Sequence, residues 1–197
     1  MVMSQKSWYD KAFISIEALN GTEVQLTAKT TAMNISGGGF DIEGVETFGG
    51  KITRVGSKDD IEISLDGLPS SHADFDWIFA GHTTSTQSSL TGGSITTSTL
   101  TKYRVSMLWT NYTGSVTSAA KQAITANAEA YRRTYAECYC TSLETSMDAG
   151  DNLKASMTFK LAYEDETGYQ NFRIDSKDTT SGTMAALLAY TSSTTKW

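Results

Sequence analysis

The alternation across residues 155–164 most narrows what this chain can fold into. Ala155, Met157, Phe159, Leu161 and Tyr163 alternate with Ser156, Thr158, Lys160, Ala162 and Glu164. An extended chain turns successive side chains to opposite faces, so this run has one apolar face and one mostly wet face. Upstream, residues 131–144 are rich in strand formers and contain neither Pro nor Gly. Between them, residues 147–152 carry turn chemistry. Gly150 tolerates positive φ, and Asp148, Asp151 and Asn152 can bond their own backbone. The expectation is a long hairpin. Two strands alone bury too little apolar surface to stand in water, so the rest of the chain must supply a partner sheet.

The same period places further strands. Residues 13–17 and 23–29 flank Asn20-Gly21, a strong hairpin signal, so 12–34 reads as one hairpin with Val24, Leu26 and Ala28 on one face. Gly37, Gly38 and Gly39 break the pattern. Residues 34–50 mix apolar side chains with glycine, as a bulged strand or an extended arm would. Residues 51–55 and 61–65 are two more strands around Gly56-Ser57-Lys58. In the second, Ile61, Ile63 and Leu65 alternate with Asp60, Glu62, Ser64 and Asp66. Tyr103, Val105, Met107 and Trp109 alternate again, and Gln170, Phe172 and Ile174 follow a tight acidic turn at 164–168.

Two short helices are expected. Ser70 or Ser71 can cap the first, with Phe75, Trp77, Ile78 and Phe79 as its apolar face and Gly81 as its stop. The second spans 118–130, where Ala119, Ala120, Ala123, Ile124, Ala128 and Ala130 are good formers. Residues 82–100 hold 12 Ser or Thr among 19, a polar loop too long for a mere connector. The tail, 181–197, has an apolar piece at 184–190 and closes on Trp197. The fold class is therefore mainly β with short helices, in a single domain over 1–197. An arm at 34–50, a polar loop at 82–100 and a C-terminal extension at 177–197 are its appendages.

Hydrophobic residues make up 39% of the chain, which argues against wholesale disorder. A net charge of −6 disfavours sequence-specific reading of nucleic acid, which wants a basic patch. The first eight residues lack the apolar segment of a secretory signal. No run approaches 18 apolar residues, so no membrane span is expected. Cys138 and Cys140 share a strand face at i and i+2, poorly placed to bridge each other. With no second Cys or His pair to complete a zinc site, they read as two small buried hydrophobes. His72 and His82 are the only histidines, and no Gly-x-Ser-x-Gly elbow is present. Of Asp59, Asp60, Glu62 and Asp66, the last three lie on one strand and form a row rather than a calcium cage. Gly37-Gly38-Gly39 lacks the Lys-Ser/Thr of a phosphate loop. Arg132 and Arg133 read as countering acidic neighbours. No catalytic, cofactor-binding or metal-ligating residue emerges, and no cofactor is expected.

In element order the chain resembles the tail tube, or major tail, proteins of tailed bacteriophages and related viruses. Three pieces carry the resemblance, which covers roughly 10–176. They are the acidic strand leading to Leu68-Pro69 and a short aromatic helix at 60–81, the strand at 103–109 after a loop, and the Asp148-Ala149-Gly150 turn with its alternating strand and acidic turn. The resemblance implies two packed antiparallel sheets, a β-sandwich or barrel, flanked by a helix. It implies six copies in a ring, inner sheets joined into a barrel around a lumen, and rings stacked into a tube that passes the viral genome. Partners would be further copies of the chain and other tail proteins, with genomic DNA sliding through unbound. The location would be the virion tail, after assembly in the host cytoplasm. Asp60, Glu62 and Asp66 are the expected lumen-lining row, with the outside of the tube as the alternative. Gly37, Gly38, Gly39, Phe40, Ile42, Val45 and Phe48 are the expected inter-ring contact.

Two rival readings stand beside it. A β-sandwich binding module, an adhesin or receptor-binding domain, would display aromatics in a groove, with Trp8, Trp77, Trp109 and Trp197 as candidates. An enzyme would need a convergent site around His72.

Overall fold

The computed structural model describes residues 11–21, 23–26, 30–68, 101–125, 127–147, 149–150, 153–178 and 182–197, with the backbone alone at 45–47 and 52. The expected helix at 70–81 and the loop at 82–100 lie outside the described residues, as do Trp8, Trp77, His72 and His82.

Ten strands run in chain order: β1 Ala12–Ala18, β2 Glu23–Gln25, β3 Thr30–Gly37, β4 Phe40–Thr47, β5 Gly50–Lys58, β6 Ile61–Gly67, β7 Lys102–Thr110, β8 Ala130–Ser146, β9 Lys154–Leu161 and β10 Phe172–Lys177. Eight form one antiparallel sheet in the order β2-β1-β7-β8-β9-β6-β3, with β10 also on β8, while β4 and β5 make a separate two-stranded sheet. The expected pair of packed sheets is thus one continuous sheet in two halves.

β8 is the spine. Its first half pairs β7 along one edge and β10 along the other, from Tyr135↔Phe172 to Ala130↔Lys177. Its second half pairs β9, from Tyr139↔Lys160 to Ser146↔Lys154. The two partners lie end to end along β8, joined by the acidic turn. Where β8 changes partner it carries a bulge: Tyr103 faces Cys138 and Val105 faces Tyr135, so Ala136 and Glu137 both sit opposite Arg104. Glu137 has a φ of 58°, in the left-handed region. An extra residue bends and twists its strand, and beyond it the inner faces of the two halves share one core. Ile14, Ile16, Val105, Met107 and Tyr135 meet Ile63, Leu65, Phe159 and Leu161. The Tyr103 ring meets the edge of Phe159 at 5.4 Å and 67°.

Three expectations are corrected. Residues 12–34 are not one hairpin: β2 returns on β1, but β3 crosses to the far half and pairs β6. Residues 118–130 are not a helix, and no helix occurs among the described residues, so no described helix flanks the sheet. Tertiary contacts claim the backbone groups that a helix there would use internally. The carbonyl of Ala120 accepts from Arg132 and from the amide of Leu187, and Ile124 pairs Met184 as a bridge. Ser118 holds a single turn by accepting from the Lys121 amide. The alanines serve packing instead: Ala119, Ala128 and Ala130 close on Leu108 and Met184 in a second cluster outside the sheet. Last, the 34–50 arm is not one segment. Residues 34–37 belong to β3, and the projecting piece is the β4–β5 hairpin.

Candidate assembly surfaces

The hairpin starts where β3 ends. Gly37 and Gly38 adopt φ values of 88° and 75°. A Cβ on Gly37 would lie 1.9 Å from the Asp60 carbonyl oxygen, so only glycine fits this crossing. The Gly39 carbonyl accepts the Asp59 amide at 2.9 Å. The three glycines expected as contacts therefore form the base of the arm. Phe40, Ile42 and Phe48 are exposed along it, and Val45 lies in β4 opposite Ile52. Ile42 and Val55 are cross-strand partners, 64% and 61% exposed. Lys58 ties the base to the body. It pairs with Glu164, and its ammonium lies 4.1 Å from the Tyr163 ring centroid and 5.4 Å from that of Phe40.

The outward face of β3, β6, β9 and the second half of β8 is open and polar. Strand register lays it out in rows: Ser36–Glu62–Lys160–Tyr139, Asn34–Ser64–Thr158–Ser142, and Ala32–Asp66–Ser156–Glu144. Glu62 and Asp66 of the expected acidic row stand here, while Asp60 sits exposed just before β6. The row is partly neutralised. Lys160 reaches Glu62 at 3.0 Å and Ser156 donates to Asp66 at 2.7 Å. Among the described residues, β3 pairs only β6, β10 only β8 and β2 only β1, so the sheet ends in unpaired edges.

The opposite face, over β1, β7, the first half of β8 and β10, is covered by residues 111–129 and by the tail, 182–197. Beneath the cover lies a charged layer that sequence periodicity did not reveal. Arg104, fully buried, pairs with Glu17 and donates to the carbonyls of Leu188 at 2.8 Å and Lys196 at 2.9 Å. Lys121 reaches Glu17 at 2.6 Å. Arg132 bonds Asp175 at 2.8 Å and the carbonyls of Ala120 at 2.7 Å and Ala185 at 2.8 Å. Burial pulls the Arg132 guanidinium below its ordinary value, against the opposing pull of Asp175. Glu137 accepts from Lys102, from the Tyr190 hydroxyl at 2.7 Å and from Ser193 at 3.2 Å. Burial raises the Glu137 carboxyl, but those donors outweigh it and hold the group below its usual range. Lys196 reaches Asp165 at 2.5 Å and Asn171 at 2.7 Å. The expectation for Arg132, an acidic neighbour, is met by Asp175; Arg133 instead donates to the Tyr131 hydroxyl at 2.8 Å. The only sequence signal for this layer was the odd placement of Glu17, Arg104 and Arg132 inside strand patterns.

Cys138 and Cys140 are free thiols packed on the core, and burial pushes both up, away from the thiolate that nucleophilic or metal chemistry needs. Trp109 packs on the core beside the Tyr131 ring at 5.8 Å, and Trp197 is half-buried, so neither described tryptophan stands in an exposed groove. Among the described residues, no group of three His, Cys, Asp or Glu is placed to hold a metal ion.

No protein-family model matches the chain, and no curated protein matches it. Solved structures do resemble it. A chain of the PVC extracellular contractile injection system, in its sheath–tube complex in the extended state, aligns over 83% of this chain and 88% of its own at 15% identity and a TM-score of 0.48. A chain of the anti-feeding prophage cap, where the tube terminates, aligns over 83% and 88% at 16% identity and a TM-score of 0.45. Hcp1 from Flavobacterium johnsoniae aligns over 84% and 98% at 13% identity and a TM-score of 0.35. These are likenesses of backbone layout at low identity, each with a TM-score below 0.5.

Proposed function

We infer that the chain is a structural subunit that assembles with copies of itself into closed rings, stacked as the tube of a viral tail or tail-like particle. It carries no reaction of its own. The observation that supports this best is the β4–β5 hairpin. A two-stranded ribbon has no second layer to bury its side chains, yet this one exposes Phe40 at its base, the Ile42–Val55 pair along it and Phe48 at its tip. Apolar side chains grouped on a projecting element mark a contact surface, and stacking against another ring would cover them. The unpaired sheet edges suit lateral closure, because a ring removes edges that would otherwise template open-ended aggregation.

In this reading the rings are hexameric, the polar face with Glu62 and Asp66 lines the lumen, and the genome passes it without binding. The finished tube resides in the virion tail, after assembly in the host cytoplasm. Negative-stain microscopy of the concentrated protein is the test. Rings or tubes are expected; a strict monomer at every concentration would overturn the proposal.

A further inference from the structure

We propose that residues 182–197 form a reversible strap, a segment that lifts from the sheet as a unit while the sheet itself stays folded, and that ionic clasps hold it down. The strap joins no strand ladder of the sheet. Its regular pairing is limited to the isolated bridges Ile124↔Met184 and Ser192↔Thr195. Its apolar anchors are few: Met184, Leu187 and Tyr190 are buried, while Leu188 between them is 62% exposed. Much of the remaining hold comes from side chains of the sheet reaching its backbone. Arg132 takes the carbonyl of Ala185, and Arg104 takes those of Leu188 and Lys196. The Tyr190 amide donates to Glu17 at 3.3 Å, and its carbonyl accepts the Asn20 amide at 2.8 Å.

The surface beneath is the telling part. A permanent cover pairs apolar with apolar, as the inner core does. Here the register aligns Ser15, Ser106 and Thr134 in one row across β1, β7 and β8. Their three hydroxyls and the Arg104 Nε are buried without a hydrogen-bond partner among the described residues. Glu17 and Arg104 form the next pair along. Unpartnered buried polar groups oppose closure, because each regains hydration where lifting the strap admits water to the face that it covers together with the 111–129 segment. Apart from Leu108, on which Met184 closes, this face offers Ser, Thr, Arg and Glu, which are stable in water once open, unlike the Ile, Val and Phe of the inner core. Opening the strap therefore costs less than parting the apolar core between the two halves of the sheet.

The clasps define what opens it. Glu17 faces Arg104 from β7, Lys121 from the 111–129 segment and the Tyr190 amide. Glu137 faces Lys102 from β7 and Tyr190 and Ser193 from the strap. Asp165 of the acidic turn faces Lys196 of the strap. Asp175 of β10 faces Arg132 and Arg173. Acid neutralises the carboxylates and leaves the cations crowded together. Donors hold Glu137 and Asp165 below the usual carboxylate range. Their stabilisation is therefore complete above that range and is lost as pH falls through the lowered values, so release is expected below about pH 4.

Hydrogen exchange of the full chain, corrected for intrinsic rates, tests this at neutral pH and through an acid series. Strap amides such as Leu187 and Tyr190 should lose protection by about tenfold or more in Lys196→Met and in Glu137→Gln, with β7 amides changing by less than about threefold. Lys196→Met alters only the strap, which guards against a fold defect from the bulge position, and acid acts on the unmodified chain. Strap and β7 amides exchanging at one common rate, at every pH and in both variants, would show a single cooperative unit and overturn the proposal.

Discussion

Glu17 is 1% exposed, in a strand whose other buried members are small or aliphatic. It persists there because Arg104 and Lys121 both reach it. A buried pair of this kind is stabilising only while intact, since removing one member strands the other away from water. Glu17→Gln is expected to lower stability by about 3 kcal/mol, and Glu17→Leu combined with Arg104→Met should recover most of the loss. Urea denaturation of the three proteins checks this; a double variant no better than the single would refute it. Cys138 makes a second prediction at this scale. Its side chain is fully buried and burial pushes its thiol up. A thiol reagent at neutral pH should modify Cys138 only as fast as the sheet opens, with mass spectrometry separating it from Cys140. Modification of native Cys138 within minutes would contradict the burial.

Among the elements, the β4–β5 hairpin combines exposure with apolarity, so assembly and stability should come apart there. Ile42→Ser with Val55→Ser should change stability by no more than about 0.5 kcal/mol per site, since neither side chain contributes to the core. The same pair should suppress tube formation, read by sedimentation and microscopy. Intact assembly in the double variant would place the contact elsewhere. The hairpin also shows what the sequence can disclose. Period-two alternation located β6 and β7 to within two residues and β9 to within three, because each has one face on the apolar core. The three consecutive glycines marked a break, but not that Asp60 closes on Gly37 and makes it a pivot. The 118–130 segment misled for a related reason. Alanine is a good helix former in isolation, but here Arg132 and the tail claim carbonyls and amides of that segment, and the tail that makes much of the claim is remote in sequence. The charged layer beneath the tail was hidden likewise: alternation says which residues share a face, not that a second cover lies over it.

The whole molecule treats the two outer faces of one sheet oppositely. One is sealed by irregular chain over buried arginines; the other is left bare, with small hydroxyls and a few charges in register. In the proposed ring, the irregular cover would lie outside, where it obstructs nothing, and the bare face inside, where short side chains leave the bore clear. The bare face is also acidic. Glu62, Asp66 and Glu144, with Asp60 beside them, outnumber Lys154 and Lys160 on that face, and in the proposed ring each copy would add −6. A wall of that sign repels a polyanion and lets it slide. Asp60→Lys with Asp66→Lys leaves the Glu62–Lys160 pair in place and moves each copy four charges in the positive direction. Assembled tubes of that variant should retain short DNA duplexes in co-sedimentation at low salt, release them as salt rises, and contrast with unmodified tubes that retain none. If both tubes behave alike while the variant still assembles, the charge of this row does not set how the tube handles DNA, and the acidic wall plays no part in passage.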